Sequence, residues 1–500
     1  MKIKLLIGLV LVTLFINSFS QNSYKHLTVS QMQGDLNVLH SAWINLHPGL
    51  YRYNTPQQIQ NYFETLKTKC NKPLDERAFY LLLSQLSQKV KCGHTYLNPL
   101  NLDKTIQKRF LPNTIIPFFF EVVGGNKIVI TYNLSSQTEI RKGDEIVAIN
   151  SIPSKRIIDS LLTVSRSDGN NSKGKKLSNI NETADEAKAH SLFDIYFPLF
   201  FQSNAKDFKL TIKRFSSSST KDFIISATTL EERITAYEKR FGKIPDAERT
   251  WDYKILNSQT AYMKFGTFAF WNSDFNETKF VDSIFNNVVS KAAIKNLIID
   301  IRNNEGGDNT GNYILSYITN KKIGCDDPDR PCYRYLSIPD SLLPYLDTWD
   351  NSFKKPKDQN KFSKNEIGLY ELKTTGQPCN FIEPKSNGFK GNLFLLTNAK
   401  NSSAGYEMAR NFKTANLGKI IGETTGGSQQ GINGGEFFFL KLPNSKFEID
   451  LPLIYNYHAN KPDKGISPDY EIKTKEKDIY NNRDSQLEFA LSLISKDKIE

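Results

Sequence analysis

The chain has 500 residues, 39% hydrophobic and 12% aromatic, which is material for about three domains of ordinary size. Its 20 Pro and 28 Gly exclude collagen-like and low-complexity classes, and a mean hydropathy of −0.45 excludes a multi-span membrane protein. The net charge of +12 is spread along the chain without a dense Lys/Arg block, so it reads as a solvated basic surface and not as a nucleic-acid face.

Residues 1–20 have the layout of a secretory signal peptide: Lys2 and Lys4, an apolar run from Leu5 to Phe15, then small residues before Gln21. The run is shorter than the roughly 20 residues a membrane span needs, and no later run is long enough either. The mature chain is therefore expected to be exported, periplasmic or extracellular, with no transmembrane segment. Export permits disulfides. Of the five cysteines, Cys325 and Cys332 flank the polar loop from Asp326 to Pro331, as a disulfide or as two thiols.

Residues 29–100 read as a helical domain. Leu36, Leu39, Trp43 and Leu46 recur at helical spacing up to a break at His47-Pro48-Gly49. A second helix fits 56–69, and a third runs from Asp75 toward Gly93. From about Thr114 the pattern becomes strand-like, in Ile115–Val122 and Lys127–Ile130. The tract Lys142-Gly143-Asp144-Glu145-Ile146-Val147-Ala148-Ile149-Asn150-Ser151-Ile152-Pro153 resembles that of PDZ domains, with 155–163 as the helix beside a peptide groove. A plain hairpin is the simpler reading of the same residues. The PDZ-like domain is drawn over 112–230, with the polar stretch 165–190 as an exposed loop.

Beyond residue 250 strands and helices alternate. Strand signals at 262–265, 297–301 and 393–397 interleave with helical stretches at 278–293, after Gly307 and at 404–415, which predicts an α/β sheet with crossover connections. This core spans 250–475 around an insertion at about 322–390, and 476–500 forms a C-terminal tail or helix.

Two strand-to-helix turns carry chemistry-bearing residues. In Asp300-Ile301-Arg302-Asn303-Asn304-Glu305-Gly306-Gly307 the paired glycines leave backbone N–H groups open to an oxyanion or a phosphate. No Walker A loop is present. In Asn401-Ser402-Ser403-Ala404-Gly405-Tyr406-Glu407 a serine opens a helix, where it serves as a cap or as a nucleophile.

Taken with Gly422-Glu423-Thr424-Thr425-Gly426-Gly427 and Gly465-Ile466-Ser467-Pro468-Asp469, these turns resemble the C-terminal processing (tail-specific) and tricorn-core-like serine peptidases. The resemblance implies a multidomain α+β chain whose α/β core is of the ClpP/crotonase-like type. It implies Ser403 as nucleophile, with Ser402 as the alternative, and oxyanion donors from Ala404, Gly306 and Gly307. The lysine base of the processing branch has no counterpart, because Gly427 and Ser428 stand in its place. The tricorn-like branch instead takes a histidine from a D-G-H-T tract. Here that tract is Cys92-Gly93-His94-Thr95, which makes His94 the expected base and His458 the reserve. Asp463, two places before Gly465, is the expected acidic partner. The implied activity is endopeptidase hydrolysis of proteins or peptides, with no metal or organic cofactor. Two rival readings remain: a relative that has lost catalysis and holds apolar ligands, as the retinoid-binding proteins of the eye do on this fold, or a peptide-capturing interaction protein.

Overall fold

The computed structural model describes residues 25–496 apart from 171, 203–205, 218, 246–249, 272, 290–292, 325–328, 374–380 and 459. The signal-peptide segment and both Cys325 and Cys379 lie outside the described residues. Cys332 is a buried thiol that donates to the Arg330 carbonyl at 3.2 Å.

Four helices open the chain: Val29–Leu46, Pro56–Lys69, Glu76–Lys89 and Lys104–Phe110. Their starts follow from local chemistry. Thr28 with Gln31, and Thr55 with Gln58, form reciprocal capping boxes, and Asp75 accepts from the Arg77 N–H at 2.6 Å. The apolar faces of the first three helices bury Leu36, Leu39, Trp43, Phe63, Phe79 and Leu83.

A first antiparallel sheet follows, with strands Phe118–Val123, Lys127–Asn133, Glu145–Ile149, Asp207–Lys213 and Thr220–Ser226 in that spatial order. The helix Ser154–Leu162 packs on it where the sequence predicts one. The stretch 165–190 departs from its expected role as an exposed loop. Ser165, Ser167, Asp168, Ser172, Lys175 and Glu182 are all buried, and Lys173–Ser178 is a short helix. Polar composition misleads here because the polar groups satisfy one another. Ser165 Oγ donates to the Lys176 carbonyl at 2.8 Å, Ser172 Oγ to Ser167 Oγ at 2.8 Å, and Asn179 Nδ2 to the Arg166 carbonyl at 2.9 Å.

The expected insertion at 322–390 is integrated rather than appended. Its strands Leu346–Asp347, Pro331–Tyr333, Tyr370–Leu372 and Phe362–Lys364 flank the hairpin Asn433–Lys441/Glu448–Asn456 to make a second antiparallel sheet.

The third sheet has the order Tyr470–Glu471, Lys419–Gly422, Asn392–Thr397, Asn296–Asp300, Thr260–Phe265, Trp251–Asn257. All pairs are parallel except the last. Alternation sorts its side chains. Leu297, Ile299 and Leu395 join Met408, Ala409 and Phe412 of the helix Ala404–Thr414 on one face. Ile298, Phe394 and Leu396 meet Ala490 and Ile494 of the helix Ser485–Lys496 on the other. Strands 296–300 and 392–397 run in register, Asp300 opposite Leu396, so the turns that follow them emerge side by side. The whole is a mixed α/β multidomain chain.

Candidate active site

The first turn is built by its own polar residues. Asp300 accepts from the Arg302 guanidinium and from Tyr262 Oη at 2.7 Å, while Arg302 reaches on to Asp484 at 2.7 and 2.8 Å. Asn304 Nδ2 donates to the Phe265 carbonyl at 2.9 Å, and Asn304 Oδ1 accepts from the Gly306 N–H at 2.8 Å. Gly306 has φ +98°, and a Cβ there would stand 2.7 Å from the Ala404 nitrogen and 2.8 Å from Ser403 Cβ. Only a glycine fits this approach, which brings the two turns together.

Asparagines bolt the second turn to the first. Asn398 exchanges hydrogen bonds with Asn303, at 3.1 Å to its N–H and 2.7 Å to its side chain. Asn401 Nδ2 donates to the carbonyls of Ile301 and Asn304. Ser403 then sits at φ 51°, ψ −133°, a strained conformation for a residue with a side chain, and makes no capping hydrogen bond. Capping therefore does not account for this serine. Ser402 differs: its hydroxyl donates to the Lys400 carbonyl at 3.3 Å, back into its own loop. The Gly306 N–H is committed to Asn304, which leaves the Ala404 N–H, at the positive end of the helix Ala404–Thr414, and the Gly307 N–H as candidate donors.

Side chains from the stretch 165–187 reach both turns. Lys175 Nζ forms an ion pair with Glu305, the residue before Gly306, and donates to the Lys400 carbonyl at 2.9 Å. Lys400 in turn pairs with Glu186, and Arg166 stands 3.8 Å from Glu305. Burial alone would raise the Glu305 carboxyl. The Lys175, Arg166 and Lys400 cations overrule it and hold the group well below the usual carboxylate range.

His94 lies in the turn after the third helix, half-buried, over Gly434 and with Phe437 at 5.7 Å between ring centroids. Its Nδ1 is buried without a partner, and among the described residues no hydrogen bond joins it to Ser403 Oγ. Burial lowers its pKa from 6.5, opposed by the Asp168 carboxylate and helped by Arg166 and Lys175. The same cations thus act on His94 and on Glu305, beside Gly306. Next to it, His47 Nδ1 accepts from the Gly49 N–H at 3.1 Å, so its Nε2 carries the proton toward Thr95 Oγ1 at 2.7 Å. Burial and Arg334 push His47 down to about 3, a neutral prop beneath the His94 turn.

Asp463 is the acidic residue expected beside His94. Asp463 accepts from Tyr53 Oη at 2.7 Å, Ser428 Oγ at 3.0 Å and the Asn170 N–H at 3.0 Å. The carboxylate hydrogen-bonded into the His94 turn belongs to Asp168, which accepts from the Gly93 N–H at 2.9 Å. Sequence reading missed Asp168 because it lay in the stretch taken as exposed. Its only local signal is the turn pair Asp168-Gly169. Cys92, where an acid is usual in the tract, is a thiol pushed up to about 11 by burial and then by Asp168.

The reserve base is engaged elsewhere. His458 Nε2 contacts Asp329 at 3.0 Å and Arg410 at 3.0 Å. At Gly427 a Cβ would stand 2.4 Å from the Tyr406 ring, so the lysine of the processing branch has no room there. The closing tract holds the floor of the site: Ile466 N–H donates to Thr425 Oγ1 at 2.8 Å and Thr425 N–H to the Ile466 carbonyl at 3.1 Å.

Comparison with known proteins places this architecture. No curated protein matches the sequence. The structure of mature CPAF complexed with lactacystin superposes with a TM-score of 0.61 at 14% identity, over 91% of this chain and 95% of that one. Another structure of mature CPAF gives 0.59 at 14% identity, over 91% and 95%. At this identity the likeness concerns the fold. Residues 259–472, from the strand Thr260–Phe265 to the strand Tyr470–Glu471, match the family model "Peptidase family S41". These residues include both turns, so the likeness to peptidase family S41 rests on the part of the chain that carries them.

Proposed function

We propose that this chain is an exported serine endopeptidase that hydrolyses peptide bonds in proteins or peptides through an acyl-enzyme. The observation that carries the reading is Ser403: strained, uncapped and at a helix N-terminus against Gly306. The match of residues 259–472 to peptidase family S41 supports serine peptidase activity.

In the proposed cycle Ser403 Oγ attacks the substrate carbonyl and its proton passes to His94. The Ala404 and Gly307 N–H groups hold the oxyanion. Collapse of the intermediate releases the amine with the proton from His94, and water then cleaves the Ser403 ester with His94 again as base. Substrate binding draws Ser403 and His94 into hydrogen-bonding distance, as catalytic pairs often tighten only when occupied. Asp168 supports the His94 turn, and Asp463 ties the segment 169–170 to Tyr53 and Ser428. The sheet of 118–226 acts as a PDZ-like module that receives the substrate chain. Among the described residues no helix is long and apolar enough to cross a membrane.

The test is hydrolysis of casein by residues 21–500 beside Ser403→Ala and His94→Ala, with a chelator present. Cleavage that survives the chelator and disappears in both variants is the expected result. Loss in Ser403→Ala alone moves the base away from His94. No cleavage by the parent, together with no labelling of Ser403 by a fluorophosphonate, overturns the reading in favour of a binding protein.

A further inference from the structure

The integrated segment 322–390 brings an aromatic side chain to His94. The hairpin strand Asn433–Lys441 alternates: Phe438 and Leu440 are buried in the core, while Phe437 and Phe439 share the opposite, half-open face. The strand Leu346–Asp347 pairs with Leu440 and Phe439 and lays Trp349 across that face. Its indole meets Phe437 at 5.5 Å and Phe439 at 5.2 Å, edge to face, yet remains 62% exposed. The indole N–H donates to Glu436 Oε2 at 2.6 Å, which fixes the ring's orientation. Phe437 is the link, its ring centroid 5.7 Å from that of His94. Trp349, Phe437 and His94 therefore form one continuous row of rings, ending at the proposed base.

An exposed, hydrogen-bond-anchored tryptophan continuous with a catalytic histidine is a binding feature, not a packing one. We infer that Trp349 and Phe437 form a substrate subsite for a large apolar side chain of an unfolded polypeptide, on the amine side of the scissile bond. The side follows from chemistry. His94 gives its proton to the leaving amine, so a surface touching His94 lies beside the residue that carries that amine. This inference rests on the Ser–His peptidase reading.

The experiment maps cleavage sites in denatured casein by mass spectrometry for the parent, Trp349→Ala and Phe437→Ala. Kinetics follow on a pair of peptides that differ only by Leu or Gly just after the cut. The parent is expected to favour Leu, Phe, Ile, Tyr or Met at that place. Trp349→Ala is expected to lower kcat/KM for the Leu peptide about tenfold, mainly through KM, and to change the Gly peptide less than twofold. Equal losses on both peptides, no loss, or a preference that resides before the cut would overturn the subsite. Binding of the labelled Leu peptide to Ser403→Ala, with and without Trp349→Ala, separates the two readings. Trp349-dependent binding without cleavage by the parent sinks the peptidase and keeps the subsite. Cleavage with Trp349-independent binding does the reverse.

Discussion

Lys175→Met removes an ammonium that touches both turns. In the parent, Nζ is ion-paired with Glu305 and donates to the Lys400 carbonyl at 2.9 Å, and the side chain is 4% exposed. Deleting one partner of a fully buried pair costs about 3–5 kcal/mol. Glu305 keeps 33% of its side chain in water and has Arg166 at 3.8 Å, so the stability loss here is about 1–3 kcal/mol. The larger effect falls on geometry. Without the staple, the Gly306-Gly307 turn is free to move against Ala404, and a misplacement of about 1 Å at a reacting centre costs on the order of 100-fold. The expected outcome is a fall in kcat of about 30- to 100-fold with KM within about threefold. It is read by steady-state kinetics on one peptide, with thermal unfolding followed in parallel. In a double-mutant cycle with Glu305→Gln the two losses should be far from additive. An unchanged kcat, or strictly additive losses, refutes the staple.

Gly306→Ala places a Cβ 2.7 Å from the Ala404 nitrogen at φ +98°, so kcat should drop by about 100- to 1,000-fold, the scale of losing an oxyanion donor. A rate within tenfold of the parent would count against the two-turn site. Because burial lowers the His94 pKa below 6.5, its base form persists into mild acid. The acid limb of kcat/KM should therefore fall with a midpoint below 6.5, and a midpoint at or above that value contradicts His94 as the base. Burial, then Glu448, pushes the Asp450 carboxyl up to about 7 against the pull of Arg166. The folded state then binds more protons than the unfolded state between about pH 4 and pH 7, so stability falls as pH rises through that window. Asp450→Asn should accordingly raise the unfolding free energy at pH 8 relative to the parent, by on the order of 2 kcal/mol, and much less at pH 4, as read by denaturant unfolding at the two pH values. A pH-independent difference would rule out this titration.

The elements of this protein were legible in the sequence where periodicity and punctuation coincide. Thr28-x-x-Gln31 and Thr55-Pro56 mark helix starts because capping is local chemistry. The buried apolar runs at 297–299 and 393–396 announce strands because a parallel sheet covered on both faces needs apolar residues on both sides of each strand. The two turns were readable for a similar reason: Asp300, Arg302, Asn304 and Gly306 each act within a few residues of their own position or on the adjoining strand.

What tertiary structure decided lies in long-range pairings. Residues 165–187 have the composition of a surface loop, and nothing local reveals that Lys175 meets Glu305 or that Asp168 holds the Gly93 N–H. Burying such groups is favourable only once their partners arrive from elsewhere in the chain. Asp463 stood closest to the expected motif, yet its carboxylate was taken up by Tyr53, Ser428 and Asn170. Trp349 belongs to a segment with no sequence signal of function, and it reaches Phe437 only because Leu346–Asp347 finds an edge on the hairpin. Sequence thus specified the elements and the two turns, since backbone sterics and hydrogen bonding act over a few residues. The pairing of Lys175 with Glu305, of Asp168 with the His94 turn and of Trp349 with Phe437 was left to the packing of elements far apart in the chain.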